Sequence, residues 1–507
     1  MASGDAVVER LVAENDRLRA ENEALQSEVG ELRGLVAELK SRVADLESKL
    51  GRTSKTSSTP PSRDPNSARE EAKLNRAERR AGARRQGKQP GSEGRHLSQR
   101  SVVDRRVRHR PSVCTGCGAD LAGAKVVGGE TRQVFDLPQI TVEVTEHVAE
   151  RVVCGCGKVS CGMFPAEATA PACWGPKVKA LGVYLTQRQH IPYERAAEML
   201  SDVLDAPVSV GFLAGLVTQA GRLLEPFVVR ARELLEANPV IHADETSLRV
   251  ESKSFWLHVM ASTMVTLLVL HQRRGREAIG EIDLLPGYRG VIVHDGLAAY
   301  DYLALALHAQ CGAHLVRHLA AAMEHDDTKL WARLMTEALL AAAAAARRAA
   351  EQGRAKVPDT SAGRLRERYR YALDVASRTL PVGPPPPKRN TGGWEGHQRD
   401  AWNLAKRMRH DEADILRFLT DTRIPFSNNN AERPLRPAKL HDKISGTFRS
   451  VTHAKAFATI RSYLGTADKH DKNLYEALAE LFTTGPWLPP DATAASARSP
   501  NRGGGPE

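Results

Sequence analysis

The sequence predicts a multidomain α+β protein with an N-terminal coiled coil, a small cysteine-loop domain and an α/β core interrupted by a helical insertion. Three observations lead to this prediction. Leucine recurs every seventh residue near the N-terminus, five of the seven cysteines lie between Cys114 and Cys161, and short apolar runs alternate with helical patterns after residue 239. At 507 residues, 41% of them hydrophobic, the chain is long enough for several buried cores.

Residues 6–50 form the predicted leucine-zipper coiled coil. Leucine repeats at one heptad position, and branched residues or Asn fill the companion position: Leu11, Leu18, Leu25, Leu32, Leu39 and Leu46 for the first, with Val8, Asn15, Asn22, Val29, Val36, Val43 and Leu50 for the second. This pattern favours a parallel two-stranded coiled coil, whose register the two Asn side chains would specify. We therefore expect a homodimer. The alternative is a long helix that packs within its own chain.

Residues 51–110 form a basic linker rich in Ser, Pro, Gly and Arg. They hold 17 Lys and Arg against 6 Asp and Glu, an excess equal to the formal net charge of +11 on the whole chain. Such a segment is typically disordered and contacts a polyanion. A linker that only solubilises the chain is the alternative.

No targeting or membrane segment is expected. The first residues lack the basic start and apolar core of a secretory signal. The most apolar long run, 255–270, is shorter than a membrane span and is rich in strand formers, so we interpret it as two strands joined by a turn. We expect a cytoplasmic protein with reduced thiols and no membrane partner.

A zinc-ribbon-like domain is predicted over residues 111–166. Cys114 and Cys117 lie in "CTGCG", and Cys154 and Cys156 lie in "CGCG". The alternating residues between the loops predict a hairpin, so four thiolates would surround one structural Zn²⁺ ion. Reduced core thiols without a metal are the alternative.

Two further details of the cysteine pattern stay open. The second pair is one residue tighter than the usual spacing, so Cys161 or His109 could replace one of its members as a zinc ligand. Cys173 and Cys311 are isolated in the sequence, and we expect both to be simple core residues.

Residues 171–235 read as a helical domain. The segment "PYERAAEMLSDVLDAPVSVGFLAGLV" has the outline of a helix-turn-helix. Its second helix is mostly apolar, whereas a helix that reads DNA usually exposes Arg, Asn or Gln. A plain helical packing unit is therefore an equal alternative.

The predicted core occupies residues 239–317 and 426–470. Its first part reads as three strands, a helix, a fourth strand, and a fifth strand that runs into a helix. This order is typical of an RNase-H-like fold, in which the first and fourth strands lie side by side. Residues 318–425 would form a helical insertion, and residues 471–507 a C-terminal helix and tail.

Three acidic residues are the candidate site. Asp244 and Asp295 each follow a short apolar run, and Glu432 begins a segment that carries Arg433, Arg436 and Lys439. Adjacent strands would bring the two aspartates together, and an acid cluster beside basic residues suits a divalent-metal site that acts on phosphates.

Each candidate also has a purely structural interpretation. An Asp after a strand is often a turn or cap residue, and Glu432 could sit at the positive end of a helix that the preceding asparagines cap. His242 and His294, just before the aspartates, could orient the acids or could be buried strand histidines.

The segments together resemble the insertion-sequence-66 family of bacterial DDE transposases. The heptads, "SKTSSTPPSRD", "GKQPGSEG", the cysteine loops, "ADETSLRV", "HDGLAAYD", the helical insertion and "NNNAERPLRP" occur in the family's order. The resemblance runs from residue 8 to about residue 484, and "NNNAERPLRP" is its most distinctive part.

The resemblance implies that Asp244, Asp295 and Glu432 are the catalytic triad. They would hold two Mg²⁺ (or Mn²⁺) ions and catalyse DNA strand cleavage and strand transfer at the ends of an insertion sequence. It also implies a zinc-finger-like DNA-binding domain. The residues expected to contact DNA are Arg433, Arg436, Lys439, Arg84, Arg85 and Lys88.

The partners implied are DNA, as terminal inverted repeats and target, a second copy of the chain, and in some elements small accessory proteins. The expected location is the nucleoid of a bacterial cytoplasm. Two other functions remain as alternatives: a non-catalytic DNA-binding regulator derived from a transposase, and an RNase-H-like nuclease that does not join strands.

Overall fold

The computed structural model describes Gln26 and residues 97–138, 140–165, 167–386 and 394–491. Three predicted regions lie outside these residues: the zipper apart from Gln26, most of the basic linker with Arg84, Arg85 and Lys88, and the end of the tail. The chain divides into a small unit, Asn66–Val144 with Val203–Asp205, and a large unit, Met1–Pro65, Thr145–Asp202 and Ala206–Glu507. The mixed α+β class is confirmed by seven strands and thirteen helices among the described residues.

The described part of the small unit is held by turns and local hydrogen bonds. The amide of Gly118 donates to the carbonyl oxygen of Cys114, and the amide of Cys114 donates to Ala119. Farther along, Arg100 and Gln133 exchange two hydrogen bonds of 2.7 Å. The unit thus presents the "CTGCG" loop as a closed turn.

The hairpin predicted between the two cysteine loops is wrong. Residues 131–150, apart from the undescribed Gln139, contain no strand, and Val134 and Val144 are 89% and 90% exposed. Alternation stabilises a sheet only when one face is buried, and these valines have no surface to cover. In the large unit a short antiparallel hairpin, β1 (Arg151–Val153) with β2 (Val159–Cys161), brackets the "CGCG" loop instead.

A helical block precedes the core sheet. It comprises α1 (Pro176–Val183), which continues as a π-helical turn (Tyr184–Arg188), α2 (Tyr193–Leu204), α3 (Val210–Leu223) and α4 (Glu225–Glu236). Helices α2 and α3 occupy the predicted helix-turn-helix. Leu213, Leu216 and Val217 of α3 are buried, so this helix is a packing element.

Five strands form the core sheet, at the positions the sequence predicts. They are β3 (Val240–Val250), β4 (Lys253–Ala261), β5 (Thr266–His271), β6 (Val291–His294) and β7 (Leu307–Gln310), in the spatial order β5-β4-β3-β6-β7. Strands β3, β4 and β5 pair antiparallel, whereas β3–β6 and β6–β7 pair parallel. All four residues of β6 are buried, as expected for a parallel strand covered on both faces.

The remaining helices of the described residues follow β5 along the chain. They are α5 (Arg276–Ile282), α6 (Gly312–Ala322), α7 (Asp326–Glu351), α8 (Asp359–Thr379), α9 (Gly396–His410), α10 (Glu412–Ile415), α11 (Asn429–Ser445), α12 (Val451–Lys469) and α13 (Leu474–Leu481). Helices α7 to α10 occupy most of the 318–425 stretch, and their core includes Trp331, Tyr369 and Met408 together with Val291 and Val293 of β6.

Helices α11 and α12 pack on the other part of the sheet. Leu435 of α11 and Phe457 of α12 share a buried cluster with Leu257 and Leu268. Side chains of α12 also cover the edge strand β5, because Thr466 Oγ1 accepts from the Thr266 amide at 3.0 Å and Ser462 Oγ from the Leu268 amide at 2.8 Å. Backbone donors on β5 are therefore satisfied by the chain's own helix.

Within the described part of the chain no individual helix has the length and apolarity needed to cross a membrane. One bent pair, Val210–Leu223 with Glu225–Glu236, meets that test by length and composition alone.

Candidate active site

The register of the parallel strand pair brings Asp244 and Asp295 to the same level of the sheet. His242 of β3 lies opposite Val293 of β6. Asp244 comes two residues after His242, and Asp295 comes two residues after Val293. Asp244 lies within β3, and Asp295 directly follows β6. The predicted adjacency of the first and fourth strands is confirmed.

Glu432 lies in the first turn of α11, and the asparagines before it bind the strand that carries Asp244. Asn428 Nδ2 donates to the carbonyl oxygen of Ala243 at 2.9 Å, and Asn428 Oδ1 lies 3.0 Å from His242 Nδ1. Asn430 Nδ2 lies 3.2 Å from His242 Nε2. These bonds tie the start of the glutamate helix to the residues beside Asp244.

The same bonds fix the protonation of His242. An amide nitrogen can only donate, so His242 Nε2 accepts from Asn430 and Nδ1 carries the proton that Asn428 accepts. Burial lowers the pKa of His242 to about 4, so the ring is neutral at pH 7. The asparagine cap predicted for α11 is wrong in detail, because Asn428 makes no side-chain hydrogen bond to the helix N-terminus.

The acids share one electrostatic field. Burial raises the pKa of Asp244 well above its usual range, and the charges of Asp295, Glu245 and Glu432 raise it further. Negative charges that raise the pKa of Asp244 repel its ionised form, and a bound cation would relieve that repulsion. Asp295 and Glu432 therefore lie near enough to Asp244 for their charges to act on it.

Glu245 is a fourth acid that the sequence analysis missed. Its side chain is 1% exposed and accepts hydrogen bonds from Arg274 Nε at 2.8 Å and from the Tyr300 hydroxyl at 3.0 Å. Burial raises the pKa of Glu245 even though Arg274 opposes the rise. Its position directly after Asp244 is the one available sequence signal, but β3 alternates too weakly to show that Glu245 is buried.

The turn after β6 is shaped by two histidines. The Gly296 amide donates to His294 Nδ1 at 3.1 Å, so the ring proton is on Nε2 and points to His308 Nδ1 at 3.2 Å. Asp295 Oδ1 accepts from the Leu297 amide at 2.9 Å. Burial and the neighbouring His308 lower the pKa of His294 to about 4. His242 and His294 are thus both buried strand histidines and both fix the backbone next to an acid.

One histidine and two arginines that the sequence did not single out lie near the acids. His314 Nδ1 and an Arg317 nitrogen lie 3.5 Å and 3.9 Å from Glu432 Oε1. Burial lowers the pKa of Arg407, while Asp411 and Asp295 oppose the shift, so this arginine of α9 lies in the field of Asp295. An arginine so far along the chain from Asp295 gives no sequence signal.

The predicted basic residues after Glu432 differ in their surroundings. Arg433 and Arg436 are exposed on α11. Lys439 donates to the carbonyl oxygen of Ser247 and so joins α11 to β3. The first two are available to a large anionic partner, whereas Lys439 already has a structural contact.

The acid site has the properties of a cation site. Glu432 Oε1 is buried without a hydrogen-bond partner among the described residues, and Asp244 is destabilised by neighbouring carboxylates. A divalent ion among these oxygens would remove both penalties, and carboxylate oxygens are the ligands that Mg²⁺ and Mn²⁺ prefer.

The four predicted zinc ligands are divided between the two structural units. Cys114 and Cys117 belong to the small unit, and Cys154 and Cys156 to the large unit. Within each pair, a backbone amide lowers the pKa of the first thiol: the Cys117 amide for Cys114 and the Cys156 amide for Cys154. Such donors favour the thiolates that zinc requires.

The two isolated cysteines behave differently from each other. Cys311 is buried, as expected, whereas Cys173 is exposed, so the prediction of a core role for Cys173 is wrong. The alternative zinc ligands Cys161 and His109 are both exposed.

Comparison with known families gives three matches. The model of the Transposase IS66 family matches residues 172–456, and the model of the zinc-finger binding domain of transposase IS66 matches residues 111–157. A family of unknown function matches residues 8–98. No curated protein matches the chain. The zinc-finger match covers all four predicted cysteine ligands and supports a structural Zn²⁺ ion.

Proposed function

The chain belongs to the IS66 transposase family, whose model covers more than half of it, and from this premise we propose that it cleaves and joins DNA strands at the ends of an insertion sequence. Asp244, Asp295 and Glu432 are the proposed catalytic acids. The observation that carries the proposal is geometric: the parallel register of β3 and β6 sets Asp244 and Asp295 at the same level, and the start of the glutamate helix is hydrogen-bonded to β3 beside Asp244.

The strand order supports an RNase-H-like core for this chemistry. Strands β3 and β6 pair parallel at the centre of a mixed sheet, and the first two acids lie at the same level of that pair. Helix α11 adds the third acid from outside the sheet. Most of the residues between Asp295 and Glu432 belong to the helical insertion. After this insertion the chain continues into α11, which carries Glu432.

Two Mg²⁺ or Mn²⁺ ions are the proposed cofactors, held by Asp244, Asp295 and Glu432. When bound, such ions supply Lewis-acid activation of the attacking oxygen and neutralise charge at the phosphate. In the cleavage step, water attacks a phosphodiester phosphorus and a DNA 3′-hydroxyl leaves. In the joining step, that 3′-hydroxyl attacks a target phosphodiester, and the target's own 3′-oxygen leaves as a hydroxyl.

The chain's own residues orient the acids and attract the substrate. His242 and Asn428 hold the glutamate helix against β3, and His294 holds the turn of Asp295. Arg317 and Arg407 place positive charge beside the acids, where the anionic phosphate would lie. Arg433 and Arg436 are proposed phosphate contacts, since both are exposed one to four residues after Glu432.

The N-terminal regions would select and pair the DNA ends. We assign DNA binding to the zinc-finger domain and to the basic linker with Arg84, Arg85 and Lys88. The heptads over residues 6–50 would join two copies, one for each terminal inverted repeat. This assignment places the protein at the nucleoid of a bacterial cytoplasm, with accessory proteins of the element as further candidate partners.

The test is strand cleavage and joining by the purified full-length chain with Mg²⁺ and a duplex carrying a terminal inverted repeat. Asp244→Asn should bind this duplex but lose cleavage by at least about 10²-fold, the scale of a single preorganised catalytic charge. Asp301→Asn is the matched control, because Asp301 is exposed in the same loop region. Equal cleavage by Asp244→Asn and the unmodified protein would refute the site assignment.

The same assay separates the alternative functions. A substrate with a pre-cut 3′-hydroxyl end tests joining alone. Cleavage without joining would indicate a nuclease. Specific binding without either reaction would indicate a regulator.

A further inference from the structure

Three potential metal ligands of different chemistry converge at the starts of helices α6 and α11. Cys311 Sγ, a nitrogen of His314 and a carboxylate oxygen of Glu432 all lie within 4.8 Å of one another. His314 Nδ1 and Glu432 Oε1 are 3.5 Å apart. Only Glu432 belongs to the proposed catalytic acids, so the sulfur and the imidazole have no role in the reaction described above.

The backbone holds these two helix starts together. The Asn428 amide donates to Cys311 Sγ at 3.2 Å, and the Gly312 amide donates to the carbonyl oxygen of Phe426 at 2.8 Å. A Cβ atom on Gly312 would collide with the Phe426 ring. Cys311 and His314 lie three residues apart at the beginning of α6 and so share one face of the helix. The three ligand atoms are therefore preorganised.

Two of the ligand atoms lack the partners that burial normally demands. His314 Nδ1 and Glu432 Oε1 are both buried without a hydrogen-bond partner among the described residues. His314 itself is 8% exposed. Buried polar atoms in folded proteins are almost always bonded, so two unbonded atoms 3.5 Å apart point to a missing ligand between them.

The donor set selects the class of ligand. Two oxygen or nitrogen ligands of a tetrahedral Zn²⁺ ion, each about 2.1 Å from the metal, are roughly 3.4 Å apart. The separation of 3.5 Å between His314 Nδ1 and Glu432 Oε1 fits this geometry. Sulfur and imidazole ligands favour Zn²⁺ and similar thiophilic ions, whereas Mg²⁺ takes oxygen ligands.

We propose that Cys311, His314 and Glu432 bind one thiophilic divalent cation of the Zn²⁺ class, and that this cation inhibits the enzyme by withdrawing Glu432 from Asp244 and Asp295. The three protein ligands leave a fourth position open to water. The half-buried Arg317 lies 3.9 Å from Glu432 Oε1, and the cation would take over its role of balancing the Glu432 charge. The inhibitory part of the proposal rests on the proposed function, and the binding part does not.

The binding part is tested with Co²⁺ as a spectroscopic substitute for Zn²⁺. Full-length protein is first given one equivalent of Zn²⁺, enough for the zinc finger alone. It is then titrated with Co²⁺, and thiolate-to-cobalt charge-transfer absorption is recorded. We expect one additional equivalent of Co²⁺ with this absorption. The band should be absent in Cys311→Ser, and His314→Ala or Glu432→Gln should weaken Co²⁺ binding at least tenfold.

Cys173→Ser is the control, because this thiol is exposed and is not part of the cluster. It should leave the band unchanged. Circular dichroism establishes whether each variant is folded. If His314→Ala does not fold, Glu432→Gln, which keeps the shape of the side chain, tests the ligand set in its place. A band that persists in Cys311→Ser, or the lack of an additional Co²⁺ equivalent in the unmodified protein, overturns the proposed site.

The inhibitory part is tested by DNA cleavage in saturating Mg²⁺, with and without micromolar Zn²⁺. Zinc should reduce the cleavage rate of the unmodified protein at least tenfold, and the ratio of rates should return toward one in Cys311→Ser. An equal ratio in both proteins overturns the inhibition. If no DNA end is cleaved under any condition, the proposed function fails, while the cobalt titration still decides whether the site binds metal.

Discussion

The carboxylate of Asp244 is held where its negative charge is unfavourable. It is half-buried and lies in the field of Asp295, Glu245 and Glu432, and the lost hydration and these charges both raise its pKa above the ordinary value of 3.8. A raised folded-state pKa means that the folded protein binds this proton more tightly than the unfolded chain does. The resulting stability is fully present below the unfolded pKa and is lost as the pH rises through the folded pKa.

Asp244→Asn should therefore stabilise the protein in magnesium-free buffer. We expect the free energy of unfolding near pH 7 to rise, because the neutral amide removes a charge that burial and the neighbouring carboxylates disfavour. The advantage should shrink as the pH falls below the ordinary value of 3.8, where the aspartate becomes protonated in the unfolded chain as well. Urea unfolding of both proteins across this pH range measures the effect.

Two observations would count against this account of Asp244. One is a stability difference that does not change with pH, and the other is an Asn variant less stable than the unmodified protein at neutral pH. Asp301→Asn, at an exposed position, should change stability little at either pH. Added Mg²⁺ should stabilise the unmodified protein and not Asp244→Asn, because only the former keeps the full acid site.

At the level of single residues, the sequence predicts the site only in part. Asp244, Asp295 and Glu432 could be found because each one stands at the end of a recognisable pattern. Glu245 could not, because its burial depends on Arg274 and Tyr300, which join it only through tertiary folding. Arg407 could not, because it is one of several basic residues on an amphipathic helix of the insertion.

The elements follow the sequence most closely where a face or a run of residues is buried. The five core strands coincide with apolar runs of the sequence, because burial of those apolar side chains in the sheet is favourable. Residues 131–150 alternate equally well, yet Val134, Val144 and Val148 are exposed, and the described residues of this stretch form no strand. The period of the apolar residues shows which face of a segment could be buried. It does not show whether the folded protein offers a surface that covers this face.

The turn that presents Asp295 depends on glycine. Gly296 has φ of +89°, and a Cβ atom there would lie 3.3 Å from Gln310 Oε1 and 3.4 Å from an Arg407 nitrogen. Gly296→Ala should lower the free energy of unfolding by about 1–3 kcal/mol, the typical cost of a strained backbone conformation. Thermal unfolding followed by circular dichroism measures the change.

Gly215→Ala is the matched comparison for Gly296→Ala. Gly215 lies within helix α3, and a Cβ atom there would have nothing within 4 Å. Alanine should therefore stabilise this helix by about 0.5–1 kcal/mol. Equal effects of the two substitutions would contradict the role we assign to the left-handed turn.

The charge of the whole molecule is concentrated in one segment. Residues 51–110 carry an excess of positive charge equal to the net +11 of the chain, and the remainder is balanced. Binding of such a segment to DNA releases counterions, so affinity should fall steeply with salt. The composition predicts this property although the segment lies mostly outside the described residues.

Replacing Arg84, Arg85 and Lys88 together by Ala should flatten that salt dependence. If all three contact phosphates of duplex DNA, the slope of log affinity against log salt should fall in magnitude by about 2.7. Fluorescence anisotropy with a labelled duplex at several salt concentrations measures the slope. A triple substitution of the exposed Arg347, Arg348 and Arg364 removes the same charge from helices α7 and α8 and should leave the slope nearly unchanged.

The covered edge of the core sheet limits how two copies of the chain can assemble. Ser462 and Thr466 of α12 already accept hydrogen bonds from the backbone of β5, so this border offers no free ladder for a foreign strand. Sheets of neighbouring molecules cannot fuse across it into one continuous ribbon. Crowding many copies on one DNA molecule should therefore not seed fibrous aggregation from this side of the protein.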